Sequence, residues 1–141
     1  MKKVQPSYKT LVITVENKFG VLARVSGLFS RRGVNIKSLA VAPTDKDEFS
    51  RITVDVDIEL ESVSLDQIIN QLEKLINVVE IRALDPSQSV ERELMIVTVK
   101  AEANERDELV ENLDKVGGKV LNIGTDSMML SLVGTPSLID D

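Results

Sequence analysis

The sequence predicts an α+β fold of two consecutive units, each a single sheet with its helices on one face. Two observations predict it. Strand-like and helix-like segments follow one another in the order βαββαβ as far as residue 85, and after a polar stretch the same order begins again as βαββ. We therefore expect a first domain over residues 1–85, a linker over residues 86–92 and a second domain over residues 93–141.

The first strand and helix are marked by a change in hydrophobic period. Apolar residues alternate over residues 9–16, which is typical of a half-buried strand. From Val21 they recur at helical spacing, and Gly33 can take the left-handed conformation that ends many helices. The apolar face of this helix comprises Val21, Leu22, Val25, Leu28 and Phe29.

A hairpin and a second helix complete the first unit. Residues 34–42 and 51–60 are strand-like on either side of a polar turn, and Ser64 and Gln67 have the spacing of a helix capping box. Residues 78–84 return to strand character. The apolar stripe of the second helix comprises Leu65, Ile68, Ile69, Leu72, Leu75 and Ile76. Four strands in one sheet with both helices on its apolar side make a ferredoxin-like sandwich.

The second unit starts as a repeat of the first. After a strand over residues 93–101, Asn104 is suited to cap a helix that ends at Gly117 and Gly118. The expected buried face of this helix comprises Leu109, Val110, Leu113 and Val116.

The end of the second unit differs from the first. Residues 120–123 and 128–133 are expected to pair as a hairpin, and Thr135-Pro136 resembles a helix N-cap with proline in the first turn. The second ferredoxin-like sandwich is therefore expected to be incomplete, lacking its last helix and strand. Such a unit leaves an apolar surface and an unpaired strand edge for another chain to cover.

Composition restricts the function. With 17 basic and 23 acidic residues, the net charge of −6 opposes binding to nucleic acid or to an anionic membrane. No apolar run approaches the roughly 20 residues that span a bilayer, so we expect a cytoplasmic protein. The chain has no cysteine and no histidine, and so lacks a thiolate nucleophile and the commonest general base. Carboxylates, lysines and Tyr8 still leave an enzyme open.

The turn before the first helix is one candidate site. The free N–H groups of a first helical turn suit a carboxylate, and Gly20 would let a ligand approach them closely. Asn17 offers a carbonyl oxygen to a ligand's ammonium group or an amide to its carboxylate. The alternative is that Asn17 is only the helix cap and Gly20 only a turn residue, since such turns occur at most helix starts.

Asn35, near the other end of that helix, is the second candidate. It is polar among apolar neighbours, and it either fixes the turn or presents its amide to a ligand. The two ends of such a helix lie about 15–20 Å apart at 1.5 Å per residue. One small ligand would therefore meet both sites only across a dimer.

An acidic strand face is a weaker candidate. The third strand carries Asp55, Asp57, Glu59 and Glu61 in alternation with apolar residues. Parallel side chains of one strand cannot surround an ion, so we interpret this face as solvated rather than as a metal site.

Residues 15–36, taken with the βαββαβ order, resemble an ACT domain. More narrowly, residues 38–44 (Ser-Leu-Ala-Val-Ala-Pro-Thr), 50–54 (Ser-Arg-Ile-Thr-Val) and 71–78 are similar to the small regulatory subunits of acetolactate synthase, also called acetohydroxyacid synthase. Residues 90–94 look like the entry to that family's second domain. The resemblance covers essentially the whole chain, although members of the family usually continue through another helix and strand.

This resemblance implies a protein without catalytic residues of its own. Members of the family bind the catalytic subunit of acetolactate synthase, raise its activity, and confer feedback inhibition by valine or a related branched-chain amino acid. Thiamine diphosphate, FAD and Mg belong to that catalytic subunit, so no cofactor and no metal is expected in this chain.

The resemblance also implies where the effector binds. ACT domains of this type form homodimers side by side, with one extended sheet and the effector at the dimer interface. By resemblance, the effector site comprises Asn17, Gly20, Val21 and Leu22 of one chain with Asn35 and Ile36 of the other. The helix-start amides would hold the effector carboxylate, while Leu22 and Ile36 would bound its aliphatic side chain.

Two other classes of function stay open at this point. One is an ACT-domain amino-acid sensor for a different enzyme or a transcriptional regulator, although the sequence shows no basic helix-turn-helix segment. The other is a small enzyme on the same scaffold, which would need a pocket of carboxylates or lysines with perturbed pKa values.

Overall fold

The computed structural model of the protein describes residues 8–57 and 65–140. The chain divides into two compact units, the first ending at Gln88 and the second beginning at Ser89. The predicted capping residue Ser64 and the predicted end of the third strand, residues 58–60, lie outside the described residues.

The first unit has the predicted βαββαβ order. Its elements are β1 (Tyr8–Glu16), α1 (Val21–Arg31), β2 (Ile36–Pro43), β3 (Phe49–Asp57), α2 (Leu65–Glu73) and β4 (Val78–Ala83). The four strands form one antiparallel sheet in the order β2-β3-β1-β4. The ferredoxin-like arrangement is therefore confirmed, and β2 lies at an edge of the sheet.

Helix α1 ends as predicted at a left-handed glycine. Gly33 has φ +69°, and its N–H donates to the carbonyl of Ser30 while the N–H of Val34 donates to that of Phe29. These two bonds satisfy carbonyls at the end of the helix. Because Val34 is used in this way, β2 begins at Ile36, two residues later than the alternation predicts.

Both helices of the first unit cover the same side of the sheet. Their buried residues and the inward residues of β1 and β3 form one core of Leu11, Ile13, Val15, Val21, Val25, Leu28, Phe29, Ile52, Val54, Val56, Ile68 and Leu72. Removing such side chains from water is the main source of stability of this unit.

The predicted stripe of α2 extends too far. The helix stops at Glu73, and the N–H of Val78 donates to the carbonyl of Leu75 in the turn that follows. Leu75 still packs against the core, but Ile76 is 91% exposed. The helical period does not show where the chain turns, so the assignment of Ile76 to the buried face is wrong.

The second unit has the order βαββ followed by a short helix. Its elements are β5 (Glu93–Lys100), α3 (Arg106–Lys115), β6 (Lys119–Ile123), β7 (Ser127–Gly134) and α4 (Pro136–Asp140). The strands form an antiparallel sheet in the order β5-β7-β6. Its core is made by Ala101, Leu113, Met128 and Leu130, with partly buried apolar neighbours around them.

Three predicted helix ends of the second unit have different outcomes. Thr135 does cap α4, because its hydroxyl accepts the N–H of Leu138 at 3.3 Å. Asn104 does not cap α3. The N-cap residue is Glu105, one position later, and no side chain caps this helix. Val116 is the C-cap residue of α3 and is 38% exposed, so its assignment to the buried face is wrong.

The lengths of the helices also bear on membranes. Within residues 8–57 and 65–140, no helix is both long enough and apolar enough to cross a bilayer.

Candidate effector-binding site

The turn between β1 and α1 leaves the start of the helix open. Gly20 is the N-cap residue, with φ +79°, and no side chain caps the helix. A Cβ atom built on Gly20 would have no heavy atom within 4 Å, so the space above this residue is free. The N–H of Val21 has only a long contact of 3.5 Å to the carbonyl of Lys18. A small anion therefore has room to meet the first-turn amides.

Asn17 is not the cap of α1. Its side-chain amide donates to the carbonyl of Asp47 at 3.1 Å, and its backbone N–H donates to that of Glu48 at 2.8 Å. Both acceptors belong to the loop between β2 and β3. Since a carbonyl can only accept, the amide nitrogen of Asn17 must face Asp47, which leaves its side-chain oxygen and its second amide N–H for a ligand. Both roles considered for Asn17, acceptance from an ammonium group and donation to a carboxylate, stay open.

Val21 and Leu22 can contribute to this site in different ways. The side chain of Val21 is 3% exposed and belongs to the core, so only its backbone is accessible to a ligand. The side chain of Leu22 is 40% exposed on the surface of α1. Leu22 is thus an apolar side chain that a ligand at this helix start can touch, and Phe19 in the turn before Gly20 is also exposed.

Asn35 and Ile36 lie where β2 begins. The carbonyl of Asn35 accepts the N–H of Asp57 at 3.0 Å, which fixes the backbone here, and the Asn35 side chain is exposed. Ile36 packs partly against the core, and a bulge follows it between Ile36 and Ser38. The hydrogen bonds of this turn come from the backbone, so the side chain of Asn35 is not needed to hold it.

The structure separates the predicted site residues into two groups. Asn17, Gly20, Val21 and Leu22 are together at the start of α1, whereas Asn35 and Ile36 follow its other end. The 11 residues of α1 span about 16 Å at 1.5 Å per residue. One chain does not bring the two groups onto a single small ligand.

Sequence reasoning missed the support that α1 receives from the turn between α2 and β4. The guanidinium of Arg24 donates to the side-chain oxygen of Asn77 at 2.7 Å, and the backbone N–H of Glu16 donates to the Asn77 carbonyl at 2.8 Å. Asn77 therefore holds the end of β1 and the first turns of α1. No sequence signal indicates these contacts, because the partners are more than 50 residues apart.

The acidic face of β3 is engaged by hydroxyl groups. Thr10 of β1 donates to one carboxylate oxygen of Asp55 at 2.6 Å, and Ser38 of β2 donates to the other at 2.5 Å. Glu59 and Glu61 lie outside the described residues. In the part of the chain that is described, no three acidic side chains cluster in a way that could hold a metal ion.

Comparisons with known proteins match both units. Residues 11–80 match the family of AHAS small subunit-like ACT domains, and residues 92–141 match the family described as small subunit of acetolactate synthase. The chain is 44% identical to the acetolactate synthase small subunit of Mycolicibacterium smegmatis, over 93% of this chain and 76% of that protein. It is 39% identical to the isozyme 3 small subunit of Escherichia coli, over 94% of this chain and 80% of that protein.

A solved structure agrees with these relatives. The crystal structure of the acetolactate synthase small subunit from Thermotoga maritima superposes with a TM-score of 0.84, covering 94% of this chain and 82% of that one. The two sequences are 27% identical.

Proposed function

The chain belongs to the family of acetolactate synthase small subunits, and from this premise we propose that it binds valine or a related branched-chain amino acid and thereby controls a catalytic subunit. A regulatory role is what its ACT domain and its relatives support. In the proposal, the chain raises the activity of that subunit and confers feedback inhibition by the amino acid on it. The catalytic subunit alone would hold thiamine diphosphate, FAD and Mg. The observation that carries the proposal is the open helix start at Gly20.

We assign each part of the effector to a group on the first domain, residues 1–85. The effector carboxylate binds the amides of Val21 and Leu22, where the helix dipole adds partial positive charge. Its ammonium group donates to the side-chain oxygen of Asn17. Its aliphatic side chain packs on Leu22, which is exposed beside the turn.

The other half of the site comes from a second copy of the chain in this proposal. Asn35 and Ile36 of that copy would close over the effector, since one chain holds the two groups at opposite ends of α1. The free edge of β2 supports such a homodimer. Its side chains Leu39 and Val41 lie on the helix side of the sheet and are more than 40% exposed. Pairing two such edges would bury them and extend the sheet.

The signal has a physical route out of the site. Asn17 bonds the loop between β2 and β3 through its backbone and its side chain. An effector that hydrogen-bonds the side-chain oxygen of Asn17 can therefore change the positions of Asp47 and Glu48 as well. Regulation requires that the effector bind two states of the assembly with different affinity, and this loop is the element that we expect to differ between them.

The test is a calorimetric titration with valine, and with leucine, isoleucine and serine for comparison. We compare Gly20→Asp with Gly20→Asn. Both replacements carry the strain of a side chain at φ +79°, which costs about 1 kcal/mol, but only aspartate adds a negative charge beside the anion site. Saturable valine binding that survives in Gly20→Asn and is lost in Gly20→Asp supports the site.

Equal valine affinity in the aspartate and asparagine variants would reject this anion site. No heat with any of the four amino acids would reject effector binding by the chain itself.

A further inference from the structure

Two of the segments that resemble the small subunits most narrowly are not used by the effector site. Residues 38–43 lie on β2, Thr44 follows its end, and residues 50–54 lie on β3; the two strands are hydrogen-bonded neighbours. We define the outer face as the side of the first sheet opposite the helices, represented here by Thr14, Ala40, Ala42, Arg51 and Thr53. The register places Ala40 beside Thr53, and it places Arg51 between Ala42 and Thr14.

The outer face has a depression at this place. Its cavity measures about 530 Å³ and is lined by Thr14, Ala40, Val41, Ala42, Pro43, Thr44, Asp45, Arg51 and Thr53. The depression exists because Ala40 and Ala42 are short while Arg51 and the loop after Pro43 project beside them. A few side chains of a partner would fill a volume of this size.

The carboxylates around Arg51 are not paired with it. The neighbouring carboxylate of Glu80 is paired with Arg82 at 2.9 Å, and that of Asp55 accepts the hydroxyls of Thr10 and Ser38. Arg51 is exposed and makes no ion pair or side-chain hydrogen bond with any described residue. The depression therefore combines an unpaired guanidinium with the hydroxyls of Thr14 and Thr53, which can bind a carboxylate. The carboxylate of Asp45 also lines the depression and makes no ion pair with Arg51.

We propose that the outer face is the docking surface for an acidic segment of the acetolactate synthase catalytic subunit, with a carboxylate of that segment at Arg51. This inference rests on the proposed function, because family membership supplies the partner. A second copy of the chain fits less well here. Two outer faces packed together about a two-fold axis through the depression would bring their arginines close to each other, and the edge of β2 already offers the apolar surface for a copy.

The experiment measures binding of the full chain to the catalytic subunit encoded by the same organism, by surface plasmon resonance. Arg51→Glu is compared with Lys74→Glu, which makes the same change in charge at an exposed turn of the same unit. Ala40→Tyr fills the depression without any change in charge, and tyrosine is favourable in a strand. Valine calorimetry and thermal melting of each variant accompany the measurement.

We expect Arg51→Glu to weaken binding by about 30-fold or more, as for loss of a paired charge at an interface. Ala40→Tyr should also weaken binding, because its ring occupies the space that the partner's side chains would fill. Lys74→Glu should bind like the unchanged chain, and valine affinity should be the same in all four proteins. Affinity for the catalytic subunit that is unchanged in both Arg51→Glu and Ala40→Tyr would overturn the proposal.

The two proposals fail in different ways. If Arg51→Glu does not fold, Ala40→Tyr alone decides the matter. If the chain binds the catalytic subunit through the outer face but gives no heat with valine, the effector site is rejected and the docking surface is still supported. A chain that binds valine but not the catalytic subunit overturns the docking surface.

Discussion

The two units share the order of their first four elements but not the extent of their cores. Among the described residues, the first core contains twelve buried apolar side chains and the second contains four. In the first unit both helices cover the sheet, whereas α3 contributes only Leu113 to the buried set of the second. All five residues of β6 are exposed.

The difference teaches that helix coverage, rather than strand pattern, decides what is buried. Strand β5 is apolar on both faces, and its alternation alone does not tell which face is inside. Met95, Val97 and Val99 lie on the side of α3, while Leu94 and Ile96 on the other side are 65% and 59% exposed. The second unit therefore exposes apolar side chains on the side of β5 that faces away from α3.

The largest expected effect is in the first core. Phe29→Ala should lower the free energy of unfolding of the first unit by about 3–5 kcal/mol, whereas Leu113→Ala should cost the second unit about 2 kcal/mol because fewer buried neighbours surround the cavity. Tyr8 is the single tyrosine, the chain has no tryptophan, and Tyr8 lies in β1. Urea titrations followed by its fluorescence thus report on the first unit, and circular dichroism reports on both.

If Leu113→Ala shifts the Tyr8 transition as far as the dichroism transition, the two units unfold as one. The comparison between two separate cores would then be wrong.

A smaller difference in stability is expected between a hydrogen bond inside the first sheet and one at its edge. Thr10→Ala removes a hydroxyl that is 6% exposed and should cost about 1.5 kcal/mol, because Asp55 loses a donor in a half-buried place. Ser38→Ala removes the other donor to the same carboxylate on the exposed edge strand, and about 0.5 kcal/mol is expected. Urea midpoints of the two variants in the reverse order would show that the edge strand is the more firmly held.

A still smaller effect is expected from the cap of α4. Thr135→Ala should destabilise the second unit by about 0.5–1 kcal/mol, because the N–H of Leu138 loses its hydroxyl acceptor. Thr135→Ser keeps the hydroxyl and serves as the control. The Tyr8 transition should not move in either variant, and a shift there would contradict the independence of the two units.

The smallest effect concerns the turn that joins the units. The backbone N–H and then the hydroxyl of Ser87 donate to Asp85, at 2.9 and 2.8 Å, and hold the pKa of that carboxyl below its ordinary value. A lowered pKa in the folded chain means that this turn is stabilised above the ordinary pKa and loses that stabilisation as the pH falls through the folded value. NMR titration of Asp85 measures this pKa.

Ser87→Ala keeps the backbone donor and removes the hydroxyl, so the pKa of Asp85 should rise part of the way towards its ordinary value. Identical titration curves for the two proteins would show that the hydroxyl bond is not formed in solution.

Most of the fold could be predicted because its signals are local. The alternation in β1, the helical period after Val21 and the cap at Thr135 each lie within a few residues. The assignments of Ile76 and Val116 to buried faces are wrong because a periodic pattern continues past the point where the helix ends. The assignment of Asn104 as a cap is wrong because residue type alone does not fix where a helix begins. The candidate site could be predicted from the sequence only in part. Gly20 marks the helix start, but the contact between Asn17 and Asp47 joins residues 30 apart and depends on the register of the whole sheet.

The place of β1 at the centre of its sheet has a consequence for synthesis. Leu11 pairs with Val54 on one side and with Ala83 on the other. At about 5–20 residues per second, a ribosome takes several seconds to make the first of these partners after Leu11 has been made. The hairpin of β2 and β3 can close within microseconds of emerging. A nascent chain therefore carries β1 as an exposed apolar segment until β3 and then β4 have been made and can pair with it.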